Sequence, residues 1–386
     1  MKNDIIYIGA SDSSSFLFEN QYPVPDGMAY NSYLIIDEKV AVIDTVDRRV
    51  SENWKKRLKE SLKGRTPDYL VIQHLEPDHS ANIEWFANEF PEITLVCSNK
   101  ASGMIQQFYP SVKTNIQCVK EGDDLKLGTH TLTFYMAPMV HWPEVMVSYE
   151  HLTKSLFSAD AFGEFGATSA EGTDDDEWTP GARRYYYNIC GKYGNPVQTL
   201  LKKAVSLQIE TIFPLHGPIL RENLSFYLDK YQKWSTYTPE NDAVFIAYAS
   251  IHGNTENVAH LFAQMLQEEG IKTDLMDLSH TDVSYAVAEA FDHKLSVLAA
   301  SSYDAGLFPP MENFLHHLQS KNFNNRTVAL IENGSWAPSA GRVMKEELSK
   351  MKNLSILEPV VTVKSSLDAT SNAQLQTLLS TIKDNL

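Results

Sequence analysis

The chain has 386 residues, 43% of them hydrophobic and 21% charged, which suits an ordinary globular protein and is too long for one hydrophobic core. A formal net charge of -16 argues against nucleic acid and anionic membrane as partners, because both demand a positive face. No charged-then-apolar leader opens the chain and no apolar run approaches membrane-spanning length, so the cytoplasm is the expected location.

The first part, to about Thr238, mixes strands and helices irregularly. Ser32–Ile36 and Val40–Ile43 are apolar runs joined through Asp37-Glu38-Lys39 and read as a hairpin. Ser51–Leu62 has helical spacing. Tyr69–Gln73 is a β-prone run, and Asn82–Phe90 a helix. Strands follow at Thr94–Cys97, Ile116–Val119, Thr131–Met136, Val145–Tyr149 and Ser155–Phe157, with turns at Gly122-Asp123-Asp124 and Gly128-Thr129. This pattern implies two sheets with helices packed outside. The acidic stretch Glu171–Glu177, ended by Pro180-Gly181, reads as a solvated loop. Cys97, Cys118 and Cys190 form no C-x-x-C pair, so the expectation is buried free thiols in a reducing compartment, neither a thiolate metal site nor a disulfide framework.

Directly after the Tyr69 strand comes His74-Leu75-Glu76-Pro77-Asp78-His79, four metal-binding side chains in six residues. A strand end supplies rigidity and a loop supplies reach. The same grammar recurs three times, with His141 after the strand ending near Met136, Asp160 after Ser155–Phe157, and His216 after Ile212-Phe213. Alone, the first motif also fits a charged surface turn, and a lone His after a strand is usually a hydrogen-bonded loop residue. Four sites with one grammar favour metal. Seven ligands are too many for one ion and suit two. With Asp160 as a bridge, His74, Glu76 and His141 complete one set, and Asp78, His79 and His216 the other. A carboxylate-rich set suits iron or manganese better than zinc. His130, His151, His260, His316 and His317 lack this pattern and are expected to be structural or solvent-facing.

From Pro239-Glu240-Asn241-Asp242 the texture changes to regular alternation. Strands are expected at Ala243–Tyr248, Thr273–Met276, Leu295–Ala300, Thr327–Ile331 and Leu354–Val361. Helices are expected at Asn257–Glu269, Val283–Phe291, Met311–Ser320, Gly341–Met351 and Asp368–Leu386. Five βα units imply a doubly wound parallel sheet, with ligands beyond the carboxyl ends of its strands. The first end carries Ser250, His252, Gly253, Asn254 and Thr255, a loop of hydroxyls and amides that can cradle a phosphate at a helix start. No Gly-Lys-Ser/Thr closes it, so it is not a nucleotide-transfer loop. The third end carries Ser301, Ser302, Tyr303, Asp304, Ala305 and Gly306, and the fourth Asn333, Gly334, Ser335 and Trp336. Two aromatics above a phosphate nest suggest a flat ring with a phosphate tail, hence flavin mononucleotide (FMN). The alternative is that Tyr303 and Trp336 merely cap the sheet.

On these motifs the whole chain resembles the flavodiiron proteins. The resemblance implies an α+β metallo-β-lactamase-like αββα sandwich over residues 1–240 and an α/β flavodoxin-like doubly wound five-stranded parallel sheet over residues 241–386. His74-x-Glu76-x-Asp78-His79, His141, Asp160 in Phe157–Gly163 and His216 in Leu215–Pro218 match the family's ligands. Hydrolytic members of the lactamase-like fold usually have His where Glu76 stands. Ser250–Thr255 resembles the flavin phosphate loop, and Trp336 an aromatic near the ring. The family implies FMN, two iron ions, and reduction of dioxygen to water, nitric oxide to nitrous oxide, or both. It also implies a head-to-tail homodimer or dimer of dimers. Two departures stand out. No proline follows Ser301, and Phe18-Glu19-Asn20-Gln21 lacks the histidine many members have there. No C-x-x-C pairs follow Leu386, so no fused rubredoxin is expected, and electrons would come from an outside donor, rubredoxin or a rubredoxin reductase system. Two other readings compete: a zinc-dependent hydrolase with an accessory flavin domain, and a non-catalytic flavin electron carrier.

Overall fold

The structure is a computed structural model and describes residues 5–14, 17–167 and 175–386. Residue contacts divide the chain into two compact units, Met1–Gln232 and Lys233–Leu386.

In the first unit two sheets face each other. One has six strands in the order Ile5–Tyr7, Tyr33–Ile36, Val40–Ile43, Tyr69–Ile72, Thr94–Ser98, Asn115–Val119. The other has five, in the order Asp124–Lys126, Thr131–Met136, Met146–Glu150, Ser155–Phe157, Thr211–Phe213. Tyr33, Ile43, Val71 and Val96 of the first sheet share one buried core with Leu132, Phe134, Phe157 and Phe213 of the second. The strands Val40–Ile43, Tyr69–Ile72 and Thr94–Ser98 are buried along nearly their whole length, because helices such as Ser51–Leu62 and Asn99–Phe108 cover the outer face. This is the αββα sandwich expected from the resemblance.

Two expectations need correction here. Residues 171–174 of the acidic stretch lie outside the described residues, but from Asp175 the chain is helical to Ile189, with Pro180 inside the helix. Proline there forfeits a backbone hydrogen bond, which costs about 3 kcal/mol. Burial of Trp178, Tyr185, Tyr186 and Tyr187 on the same helix outweighs it, since each large side chain contributes about 1.5–3 kcal/mol when buried. Second, only Cys97 and Cys190 are buried; Cys118 is exposed, because its strand lies at the sheet edge.

The second unit is a parallel sheet in the order Thr273–Asp277, Asn241–Ala249, His293–Tyr303, Asn324–Asn333, Lys352–Ile356, the doubly wound order of flavodoxin-like folds. Helices Asn254–Glu268 and Ala369–Lys383 bury Phe262, Leu266, Leu375 and Ile382 against Val244, Ile246, Val297 and Ile331. The expected fifth strand, Leu354–Val361, is two strands, Lys352–Ile356 and Val361–Val363, each paired with Asn324–Asn333. Pro359 stands between them and has no N–H to donate to the ladder. Among the described residues no helix is long and apolar enough to cross a membrane.

Candidate metal centre and flavin site

The seven residues expected to bind metal converge at the strand ends of the first unit. His74, Glu76, His141 and Asp160 form one group, and Asp78, His79 and His216 a second. Asp160 stands between them. Its Oδ2 lies 3.4 Å from His74 Nε2 and 3.0 Å from His141 Nε2, while its Oδ1 lies 3.1 Å from His79 Nε2 and 3.7 Å from His216 Nε2. Glu76 Oε2 lies 3.2 Å from His74 Nε2 and 3.0 Å from His141 Nε2. Asp78 Oδ2 is 3.3 Å from both His79 Nε2 and His216 Nε2.

The backbone around Asp160 is held in an unusual path. Ala159 has φ +51° and Phe162 φ +68°, both in the left-handed region that costs a residue with a Cβ on the order of 1–2 kcal/mol. Gly163 sits so close that a Cβ there would stand 3.1 Å from Asp160 O and 3.2 Å from His216 Cβ, so any side chain would require the two ligand loops to give by a few tenths of an ångström.

Buried contacts orient two of the imidazoles and hold the backbone of a third ligand. Glu144 Oε1 accepts from His74 Nδ1 at 2.8 Å and from the Leu75 N–H at 2.9 Å. Ala29 O accepts from His216 Nδ1 at 2.7 Å. Thr45 binds the His79 carbonyl through both its N–H and its hydroxyl. With Nδ1 donating outward, Nε2 of His74 and of His216 is the nitrogen that faces the carboxylates. Glu144, three residues beyond His141, was not singled out in the sequence; its proximity to a candidate ligand was the only signal.

This arrangement suits cations. Asp78 Oδ1 and Oδ2, His79 Nε2, Asp160 Oδ1 and His216 Nε2 are buried and make no hydrogen bond. They face one another instead at distances that ligand atoms keep when each is about 2.0–2.2 Å from a shared ion. Burial alone would strip the proton from His141, yet Asp160 and Glu76 raise it to about 9. Burial likewise disfavours charge on His74, and Asp160, Glu144 and Glu76 still raise it well above its ordinary value. The carboxylates of the pocket thus draw positive charge toward themselves, as a site for multivalent cations requires.

In the second unit a cavity of about 540 Å³ opens at the strand ends. Ser250, His252, Asn254, Thr255, Ser301, Ser302, Tyr303, Asp304, Ala305, Asn333, Gly334, Ser335 and Trp336 line it, as the sequence predicts. Asn254 and Thr255, expected in the loop, form the first turn of helix Asn254–Glu268, which has no side-chain cap, leaving its first N–H groups to an anion. Gly253, at φ +88°, shapes the turn before that helix without lining the cavity. Gly306 is likewise absent from the lining; it pairs with Tyr303 in a tight hairpin. Thr255 and Ser301 hydroxyls lie 2.8 Å apart. Ser302 Oγ accepts from the N–H groups of Ser339 and Ala340, so it also anchors a helix start. Ser365 was missed. It follows the last strand, bonds Asn333 and Ser335, and could have been found from the rule that ligands gather at carboxyl ends. Trp336 is 93% exposed and Tyr303 45%. Hydroxyls, open helix N–H groups and two aromatics fit a phosphate joined to a flat ring.

The comparisons agree with both halves. Residues 28–217 match the ODP family beta lactamase description, and residues 246–372 match flavodoxin. A nitric oxide reductase of Moorella thermoacetica is 30% identical over 93% of this chain and 91% of its own length. The chain belongs to the flavodiiron proteins. Among other members, an anaerobic nitric oxide reductase flavorubredoxin of Vibrio vulnificus is 28% identical, over 87% of this chain and 70% of its own. The rubredoxin oxygen:oxidoreductase of Desulfovibrio gigas has the same fold, with a TM-score of 0.94, 26% identity, and coverage of 100% of this chain and 97% of that one. The flavodiiron protein of Giardia intestinalis matches in fold at a TM-score of 0.89 and 22% identity, over 100% of this chain and 94% of that one.

Proposed function

We propose that this flavodiiron protein reduces dioxygen to water, nitric oxide to nitrous oxide, or both, and so removes these gases. The observation that carries the reading is Asp160, whose two oxygens each face a separate imidazole group. His74, Glu76 and His141 would hold one iron, Asp78, His79 and His216 the other, with Asp160 shared. Residues 1–240 would serve as the metal domain and residues 241–386 as the flavin domain, although contacts divide the chain slightly earlier, between Gln232 and Lys233. When bound, the iron pair and FMN supply the redox equivalents and the positions at which a diatomic gas is reduced.

The chain's own residues set the conditions. Glu144 and the Ala29 carbonyl fix the tautomers of His74 and His216, so neither ring rotates to relieve the charge beside it. Phe18 and Tyr30 stand edge-on against His216, with ring centroids 5.4 and 5.7 Å away, and limit water around that ligand. Three carboxylates offset most of the charge of two divalent cations, and Glu76 in particular favours iron over a zinc pair. In the flavin domain, Ser250, Asn254, Thr255 and Ser301 would hold the phosphate, and Tyr303 and Trp336 would flank the ring. The exposure of Trp336 supports a surface that FMN or a second copy covers, consistent with a head-to-tail homodimer or dimer of dimers. Rubredoxin or a rubredoxin reductase system is the proposed donor, and the cytoplasm the location.

The test is anaerobic stopped-flow of the reduced protein against each gas, with iron and FMN quantified first. About two irons and one FMN per chain, with flavin reoxidation by at least one gas, is the expected result. A zinc-loaded protein with no iron that leaves both gases untouched would refute it.

A further inference from the structure

Folding brings together two thiols that the sequence separates. Cys97 lies in Thr94–Ser98 and Cys118 in Asn115–Val119, and the parallel register sets them directly opposite each other. Adjacent strands lie about 4.8 Å apart, inside the Cα range of about 4.4–6.8 Å over which disulfides form. Val96 and Val119 point into the core between the sheets. Side chains alternate along a strand, so Cys97 and Cys118 share the opposite, outer face. The two thiols are within hydrogen-bonding reach. Their environments differ: Asn115–Val119 is the outermost strand, and Cys118 is exposed while Cys97 is buried.

We propose that Cys97 and Cys118 are a redox-active dithiol that hydroperoxides close to an intramolecular disulfide. Cys118, the accessible partner, reacts first. Its sulfur bonds one peroxide oxygen, the O–O bond breaks, and the other oxygen leaves as water, or as an alcohol from an organic peroxide. Cys97 sulfur then attacks the sulfenic sulfur. The S–O bond breaks, and hydroxide departs with the Cys97 proton as water. Two thiols lose two electrons and one peroxide gains them. Burial pushes the Cys97 thiol up to about 12, so it attacks as a thiol and gives its proton to the departing hydroxide. An edge strand bonded on one side only can shift to bring the sulfurs into bonding distance. The site is distinct from the metal and flavin residues, so its existence does not depend on which gas the protein reduces.

The test is to treat the iron- and FMN-loaded protein with hydrogen peroxide, then denature it, alkylate it and map the peptides by mass spectrometry. The expected result is loss of two of the three thiols of the chain, a cross-linked peptide pair containing Cys97 and Cys118, and full recovery with dithiothreitol. In Cys97→Ser, Cys118 should instead accumulate a dimedone-trappable sulfenic acid. Cys118 carried to sulfinic acid in the native chain with Cys97 still free would overturn the proposal. So would disulfides found only between two chains.

Discussion

Glu144 lies three residues from His141, yet it acts on His74. Its carboxylate receives the Nδ1–H and thereby decides which nitrogen faces Asp160. Such a group commonly changes metal affinity by about 10- to 100-fold when altered. Glu144→Gln should therefore lower iron content on dialysis against a weak chelator by that order, while FMN content stays constant. Equal iron retention by variant and parent would show that the tautomer is set elsewhere. Glu150 shows a different use of a buried carboxylate. Burial pushes it up, but His130 and the hydroxyl and N–H of Thr153, with the Leu152 N–H, outweigh that and hold it at about 2. A depressed folded value means its contribution is complete above the unfolded value near 4.5 and is lost as pH falls toward about 2. Glu150→Gln should cost about 2–3 kcal/mol at pH 7. Denaturant melts should show that gap narrowing by about 1 kcal/mol at pH 4; a gap constant with pH would contradict the assignment.

At the scale of elements, strands whose ends carry function were legible because both signals were local. Tyr69–Ile72 is a continuous apolar run followed at once by His74, and the same holds before Asp160 and His216. Asp160's division between two groups could be supposed from residue count, but which oxygen faces which ring depends on the Ala159 and Phe162 backbone. Nothing in their side chains announces positive φ. The helix Asp175–Ile189 was not legible for the opposite reason: Pro180-Gly181 is a strong local stop, and only burial of distant-facing aromatics overrides it. Pro180→Ala should restore the missing hydrogen bond and stabilise the protein by about 1–2 kcal/mol, less than the full proline penalty because the unfolded chain also gains freedom. A lower melting temperature for the variant would mean that the proline ring itself packs favourably. The cross-strand neighbours Cys97 and Cys118 were invisible for a third reason. Parallel register is set by how the connecting helix Asn99–Phe108 packs back on the two strands, which neither cysteine announces.

At the scale of the whole molecule, two large cores among the described residues share no residue. One runs from Ile5 to Ile219, and the other from Val244 to Ile382. Ligands that bind only the folded state stabilise the unit that holds them. Calorimetry should accordingly show two transitions. Removing iron should lower one, and removing FMN should lower the other. A single transition moved equally by either treatment would show that the units unfold together. The near-bare indole of Trp336 has one more consequence. Trp54, Trp178 and Trp234 are buried and Trp85 and Trp142 partly so, which leaves Trp336 as the fully wetted fluorophore. The red edge of the emission spectrum therefore reports on one ring at the mouth of the flavin cavity, and acrylamide quenching there offers a label-free reading of whatever comes to cover it.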